Sequence, residues 1–277
     1  MDHHRWLIAL LASTCCQAAS LSDITILPQR HPYPSYDADP RRPQMSLAHL
    51  YAVDSELDDR FAVGDTRFGI NLGMRAPLLS WQAAADQSIG LAISGGFFGQ
   101  FDQERSLDGI GWDGLYAIAL AWRHGPWHAQ LQLHHISSHR ADEFILRTGT
   151  DRYGYTREAL QPGVAVQLPY ASTVYIEPSY AVHLSDDEQE RWALHYGVNH
   201  RRLLGGHAYS LGLDVQHFEE NDWQADLTLR AGYHILSSQA SDREINLALE
   251  FRDGRSALGE FSYLDEQTLA LVFEIRR

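Results

Sequence analysis

The stretch LQLHHISSHRADEF, residues 131–144, sets His134, His135, Ser137, Ser138 and His139 in close succession, followed by Asp142 and Glu143. A neutral imidazole can take the proton of a nearby serine hydroxyl while that oxygen attacks an acyl carbon. His135 and Ser137 are therefore candidates for an acyl-transfer pair. Such a pair needs a third group to orient the imidazole. If the chain after His139 folds back as a hairpin, the segment YGYTREAL comes alongside and offers Glu158 or Thr156, with Asp142 and Glu143 as loop alternatives. A metal site through His134, His135 and His139 fits less well, because on an extended strand His134 points away from the other two. We expect no metal there. Two plainer readings compete: the strand ends here with polar residues among lipid headgroups, or a bulge turns the odd residues inward.

Which reading holds depends on the elements that position these side chains. After Asp58 the apolar residues recur with period two. In WDGLYAIALAW, Trp112, Tyr116, Ile118, Leu120 and Trp122 share one face, and Ala117, Ala119 and Ala121 the other. The same alternation runs through STVYIEPSYAVHL, RWALHYGVNH, HAYSLGLDVQH and the final QTLALVFEI. Two-faced strands of about ten residues, longer than the usual five or six of soluble sheets, fit a membrane barrel better than a sandwich. Trp112 and Trp122 bracket about 33 Å of strand. Tilted by about 40°, it spans roughly the 25 Å apolar band of such barrels. The expectation is an all-β fold, a transmembrane antiparallel β-barrel of about 12 strands.

Short turns of these barrels face the periplasm, and RHGP, residues 123–126, is short. The strand from Trp127 then rises outward, with His128, Gln130, Gln132 and His134 in the lumen and Trp127, Ala129, Leu131 and Leu133 towards lipid. Continuing that phase puts His135, Ser137 and His139 on the lipid side near the outer leaflet. Polar groups there carry a cost, and chemistry on lipids is a reason to bear it.

Composition narrows the partners. The 277 residues carry a formal charge of -14, which argues against nucleic acid, since phosphate binding needs clustered Lys and Arg. The opening MDHHRWLIALLASTCCQAAS reads as a signal peptide over 1–19. Both cysteines lie within it, so the mature chain has no thiol or disulfide. A proline-rich extended segment is expected over 20–57 and the barrel over 58–277. Outer-membrane lipid is the expected partner and the bacterial outer membrane the expected location. Nothing in the sequence specifies a cofactor or an oligomeric state. Tyr175, His183, His195 and Arg230 are expected in the lumen.

On DADPRRPQ, LAISGGFFGQFD, HHISSHRADEF, YTREAL and LALEFRDGRSALGEF, the chain resembles the outer-membrane proteins grouped as domain of unknown function 1207. His135, Ser137, Ser138, His139, Asp142 and Glu143 match that signature. The resemblance implies an outer-membrane barrel and no activity. A narrower resemblance is to outer-membrane phospholipase A and the lipid A deacylases, which place a His-x-Ser pair on a lipid-facing strand, with Asn or Glu on the neighbouring strand orienting the histidine. Only His135 and Ser137 match; His134 and Ser138 replace the phospholipase's flanking asparagines. This implies a lipid acyl-ester hydrolase with Ser137 as nucleophile and His135 as base, the orienter coming from Glu158 or Thr156 of the following segment. A non-catalytic structural, pore or ligand-binding barrel is the alternative.

Overall fold

The computed structural model describes residues 23–152, 154–185, 189–237 and 243–276; the expected signal peptide lies outside them. The described strands are β1 (Ile24–Ile26), β2 (Met45–Ser55), β3 (Thr66–Ala84), β4 (Gln87–Asp102), β5 (Asp108–His124), β6 (Trp127–Arg140), β7 (Tyr155–Leu168), β8 (Ser172–Leu184), β9 (Trp192–Leu204), β10 (His207–Phe218), β11 (Ala225–Leu236), β12 (Glu244–Arg255) and β13 (Asp265–Arg276). Two short helices, α1 (Glu56–Phe61) and α2 (Asp142–Thr148), lie in connections.

Strands β2 to β13 pair antiparallel with their chain neighbours, and β13 returns to β2, with Ile275 opposite Met45. The result is a closed barrel of twelve strands, each paired with a neighbour on both sides. Strand β1 adds to β3 beyond the start of β2, with Ile24 opposite Trp81. One end carries tight turns such as Gly125–Pro126 and Gly205–Gly206; the other carries α1, α2 and the 256–264 connection. The outside is apolar, with Ile118, Leu120, Leu131, Leu133, Ile176, Leu211, Leu249 and Leu271 exposed.

The inside is polar and tightly paired. Arg230 bonds Glu250 at 3.1 Å and Glu274 at 2.8 Å, and Asn246 donates to Glu274 at 3.0 Å. This is the alternation expected where one face of each strand meets lipid and the other a polar lumen.

Two sequence expectations change. The extended segment expected over 20–57 divides, because the wall already begins at Met45. In MSLAHLYAVDS, Ala48, Leu50 and Ala52 turn inward while Leu47, Tyr51 and Val53 turn outward. With apolar residues on both faces, the two-faced contrast that marks the other strands is weak here. Residues 32–44 then fill the lumen. Tyr33 Oη donates to Glu177 at 2.8 Å, Tyr36 stacks on Tyr175 with ring centroids 3.4 Å apart, and Arg276 bonds Asp37 at 2.7 Å. Arg41 pairs with Asp113 and Arg42 with Glu274. Wall glycines make the room: a Cβ on Gly212 would stand 2.8 Å from that of Ala38.

The second change concerns His183, which faces outward. A register shift between Glu158 and Ala159 on β7 sets His183 opposite Glu158, and paired residues share a face. Tyr175, His195 and Arg230 do face the lumen, where His195 contacts both Glu177 and Asp214.

The barrel end opposite the tight turns is capped. Leu57, Val63, Ile110, Phe144, Leu258, Phe261 and Leu264 form a cluster almost wholly removed from solvent. Phe144 of α2 meets Phe261 edge-on at 5.1 Å, and Arg147 donates to the Phe61 carbonyl at 2.7 Å, tying α2 to α1. Burying each such side chain is worth about 1.5–3 kcal/mol.

Candidate functional site

Strand β6 keeps its pleat from Trp127 to Arg140. Its pairing with β5 runs without a register shift from His124 opposite Trp127 to Gly111 opposite Arg140, and its pairing with β7 from Trp127 to Ser138. Burial follows the phase: Gln130, His134, Ile136 and Ser138 are buried, whereas Trp127, Leu131 and Leu133 are exposed. His135, Ser137 and His139 lie on the outer face with those exposed residues. Ser137 is ten residues above the tight turn, about 33 Å of strand and, with a tilt of about 40°, about 25 Å along the barrel axis. That is the upper edge of the apolar band.

The backbone pattern brings β7 side chains close on this face. Ala141 N–H donates to the Ile110 carbonyl and Gln167 N–H to the Pro126 carbonyl. Odd residues of β6 therefore turn their N–H groups to β5 and even ones to β7. His135 opposite Glu158 and Ser137 opposite Thr156 are then non-hydrogen-bonded pairs, the kind whose Cα atoms approach to about 4.5 Å and whose side chains are nearest. His135 Nδ1 lies 3.2 Å from Glu158 Oε1.

Both side chains of that pair are partly exposed, 37% and 43%, so their attraction adds little to stability. Its effect is on orientation. A carboxylate only accepts, so Nδ1 carries the proton, and in the neutral ring Nε2 is left with its lone pair. Ser137 Oγ leans towards β5, 3.3 Å from where a Cβ on Gly114 would stand. Among the described residues it makes no hydrogen bond. A χ1 rotation carries the hydroxyl between staggered wells, and apo geometry at such pairs is often longer than the working one. The outer face of β6 thus holds a histidine in contact with a carboxylate and, one pleat away, a serine hydroxyl.

The remaining candidates separate. Thr156 faces outward beside Ser137, but its backbone N–H is bound to Ser185 Oγ at 2.8 Å. His139 packs at a tilt of 40° against Trp112 with ring centroids 4.4 Å apart. Ser138 faces the lumen, bonded to Asp113 and accepting from the Glu260 N–H at 2.8 Å. Asp142 pairs with Arg152 in the first turn of α2, and Glu143 follows it. Neither acidic loop residue contacts His135. His134 lies on the opposite face from His135 and His139, as the alternation requires. Among the described residues, the grouping close enough to share an ion is Asp39, His195 and Asp214, inside the lumen.

Sequence reasoning missed the aromatic surround. Phe97 of β4 stacks on Trp112 at 5.5 Å, and Tyr116 lies 6.2 Å from His135. The signal was present in the outward phase of WDGLY on β5, which sets Trp112, Gly114 and Tyr116 opposite His139, Ser137 and His135.

Comparison with known proteins agrees with the architecture. A family model described as protein of unknown function (DUF1207) matches residues 9–269. No curated protein sequence matches the chain. Outer membrane phospholipase A from Escherichia coli is similar in structure, with a TM-score of 0.56 and 13% identity over 89% of this chain and 94% of that one. The Salmonella typhi outer membrane phospholipase, described as a dimer with bound calcium, gives a TM-score of 0.54 and 12% identity over the same shares. At these identities the likeness establishes the fold: the chain is an outer-membrane-type barrel.

Proposed function

The chain belongs to the DUF1207 family, whose description assigns no activity, and we propose from the site itself that it hydrolyses acyl esters of lipids in the bacterial outer membrane. The mature protein would reach that membrane after export on the 1–19 segment. Ser137 is the nucleophile, His135 the base and Glu158 the group that orients it. The observation that carries this reading is the His135–Glu158 contact on the lipid side of the barrel, one pleat from an unbonded serine hydroxyl.

The reaction follows from those positions. His135 Nε2 takes the Ser137 proton as Oγ attacks the ester carbon of a phospholipid or lipid A acyl chain. The tetrahedral centre collapses, and His135 returns the proton to the departing alkoxide. Water, deprotonated in turn by His135, then frees the fatty acid from Ser137. The similarity to outer membrane phospholipases favours this class of substrate.

A pore is less well supported, because residues 32–44 occupy the lumen and the 256–264 connection closes one end with α1 and α2. Purified barrel mixed with radiolabelled phospholipid or lipid A should release fatty acid, and Ser137→Ala should abolish the release. Undiminished release by a folded Ser137→Ala protein would refute the role of Ser137.

A further inference from the structure

Attack on an ester builds negative charge on its carbonyl oxygen, and hydrogen-bond donors aimed at that oxygen supply much of the catalysis in acyl transfer. Backbone N–H groups often do this, but around Ser137 they are already used. Ser137 pairs with Gly114 on one side and Thr156 on the other, inside a ladder without shifts. The phase fixed by the Ala141 bond to Ile110 sends the N–H groups of residues 135, 137 and 139 to carbonyls of β5. The donor must therefore be a side chain.

The geometry points to His139 as that donor, a third catalytic residue for the acyl-ester hydrolysis proposed above, on which this inference rests. His139 shares the outer face with Ser137 and stands two residues beyond it, as His135 stands two residues before it. Its ring is held in a tilted contact with Trp112, centroids 4.4 Å apart, and Trp112 stacks in turn on Phe97. Among the described residues neither ring nitrogen has a hydrogen-bond partner. The ring is thus fixed in place with its polar atoms uncommitted. Ser137 Oγ also leans to the β5 side, where Trp112 and the His139 ring lie. A neutral imidazole always carries one N–H, so the ring can donate without gaining a charge.

In the step itself, Oγ forms its bond to the acyl carbon and its proton passes to His135. The carbonyl π pair moves onto oxygen, where the His139 N–H donates to it. When the alkoxide leaves, that pair restores the carbonyl and the hydrogen bond weakens. His135 and His139, although alike in type, have opposite tasks: one accepts a proton, the other stabilises an anion.

The test measures kcat and KM on labelled phospholipid in detergent micelles for wild type and for His139→Ala, His139→Gln and Thr156→Val, with folding checked by heat-dependent gel mobility. His139→Ala should lower kcat on the order of 100-fold with KM nearly unchanged, and His139→Gln, which keeps an N–H donor, should recover part of the loss. A kcat for folded His139→Ala within about threefold of wild type, far short of the loss expected for a missing oxyanion donor, overturns the inference, as does a loss that arises with Thr156→Val instead. If Ser137→Ala removes activity while His139→Ala does not, only the donor role fails. If Ser137→Ala is itself active, the hydrolase reading fails with it.

Discussion

The two faces of strand β6 near its outer end differ more than their sequence does. Ser138, on the inner face, is fully buried, bonded to Asp113 and accepting from the Glu260 N–H, while Asp113 also pairs with Arg41. Ser137, one residue earlier on the outer face, is bonded to nothing among the described residues. Buried polar groups are expensive unless satisfied, so the inner serine is committed to holding β5, β6, the lumenal segment and the 256–264 connection together. The outer serine and the His139 ring keep their hydrogen-bonding capacity, and His135 has committed only its Nδ1, to Glu158. The contrast is between an inner serine whose hydrogen bonds tie parts of the structure together and an outer serine whose hydroxyl is left to bond elsewhere.

The largest effect that sharpens this contrast is expected from His135→Ala. Loss of the base should reduce fatty-acid release by about 10²–10⁴-fold, read as initial rates on labelled lipid. Glu158→Ala comes next: without the carboxylate the ring loses its fixed tautomer, and release should fall by about 10–100-fold. Glu158→Gln, which still accepts from Nδ1, should fall less. A larger loss with Gln than with Ala would break the orienting role.

On the inner face the prediction concerns stability. Ser138→Ala leaves the Glu260 N–H without its partner and takes one donor from Asp113, which keeps Arg41 and the Gly259 N–H, and should cost about 1–3 kcal/mol, seen as a lower unfolding midpoint in heat-dependent gel mobility. The smallest effect is one of pH. Burial holds the Glu260 carboxyl up to about 7, against the pull of Arg140. A folded-state value above the ordinary 4.5 means that the favourable contribution is complete below 4.5 and is lost as the pH rises through about 7. Hydrogen exchange across residues 256–264 should therefore be faster at about pH 8.5 than at about pH 5.5, after correction for intrinsic rates. Glu260→Gln should flatten that dependence.

Much of this was legible in the chain. Period-two alternation identifies the strands because one side of each wall is apolar and the other faces a polar lumen, and the count of twelve follows from length. The outward phase of His135, Ser137 and His139 could be read from the tight turn at Gly125–Pro126, since nothing interrupts the pleat after Trp127. Glu158 was legible only as one of several orienters, because choosing it requires the β6–β7 register, which the fourteen-residue connection carrying α2 conceals. The lumenal course of residues 32–44 was not legible: proline-rich sequence is compatible with any extended path, and its partners, Glu177, Tyr175, Asn199 and Arg276, lie far along the chain. His183 departs from the face its alternation suggests because a single register shift reverses a face.

The most direct test of the central claim exposes the purified barrel to a long-chain alkyl fluorophosphonate, which reacts with activated serines, and locates the adduct by mass spectrometry. The account predicts modification at Ser137, lost in His135→Ala. No adduct on folded protein, or an adduct at Ser138 instead, would contradict it.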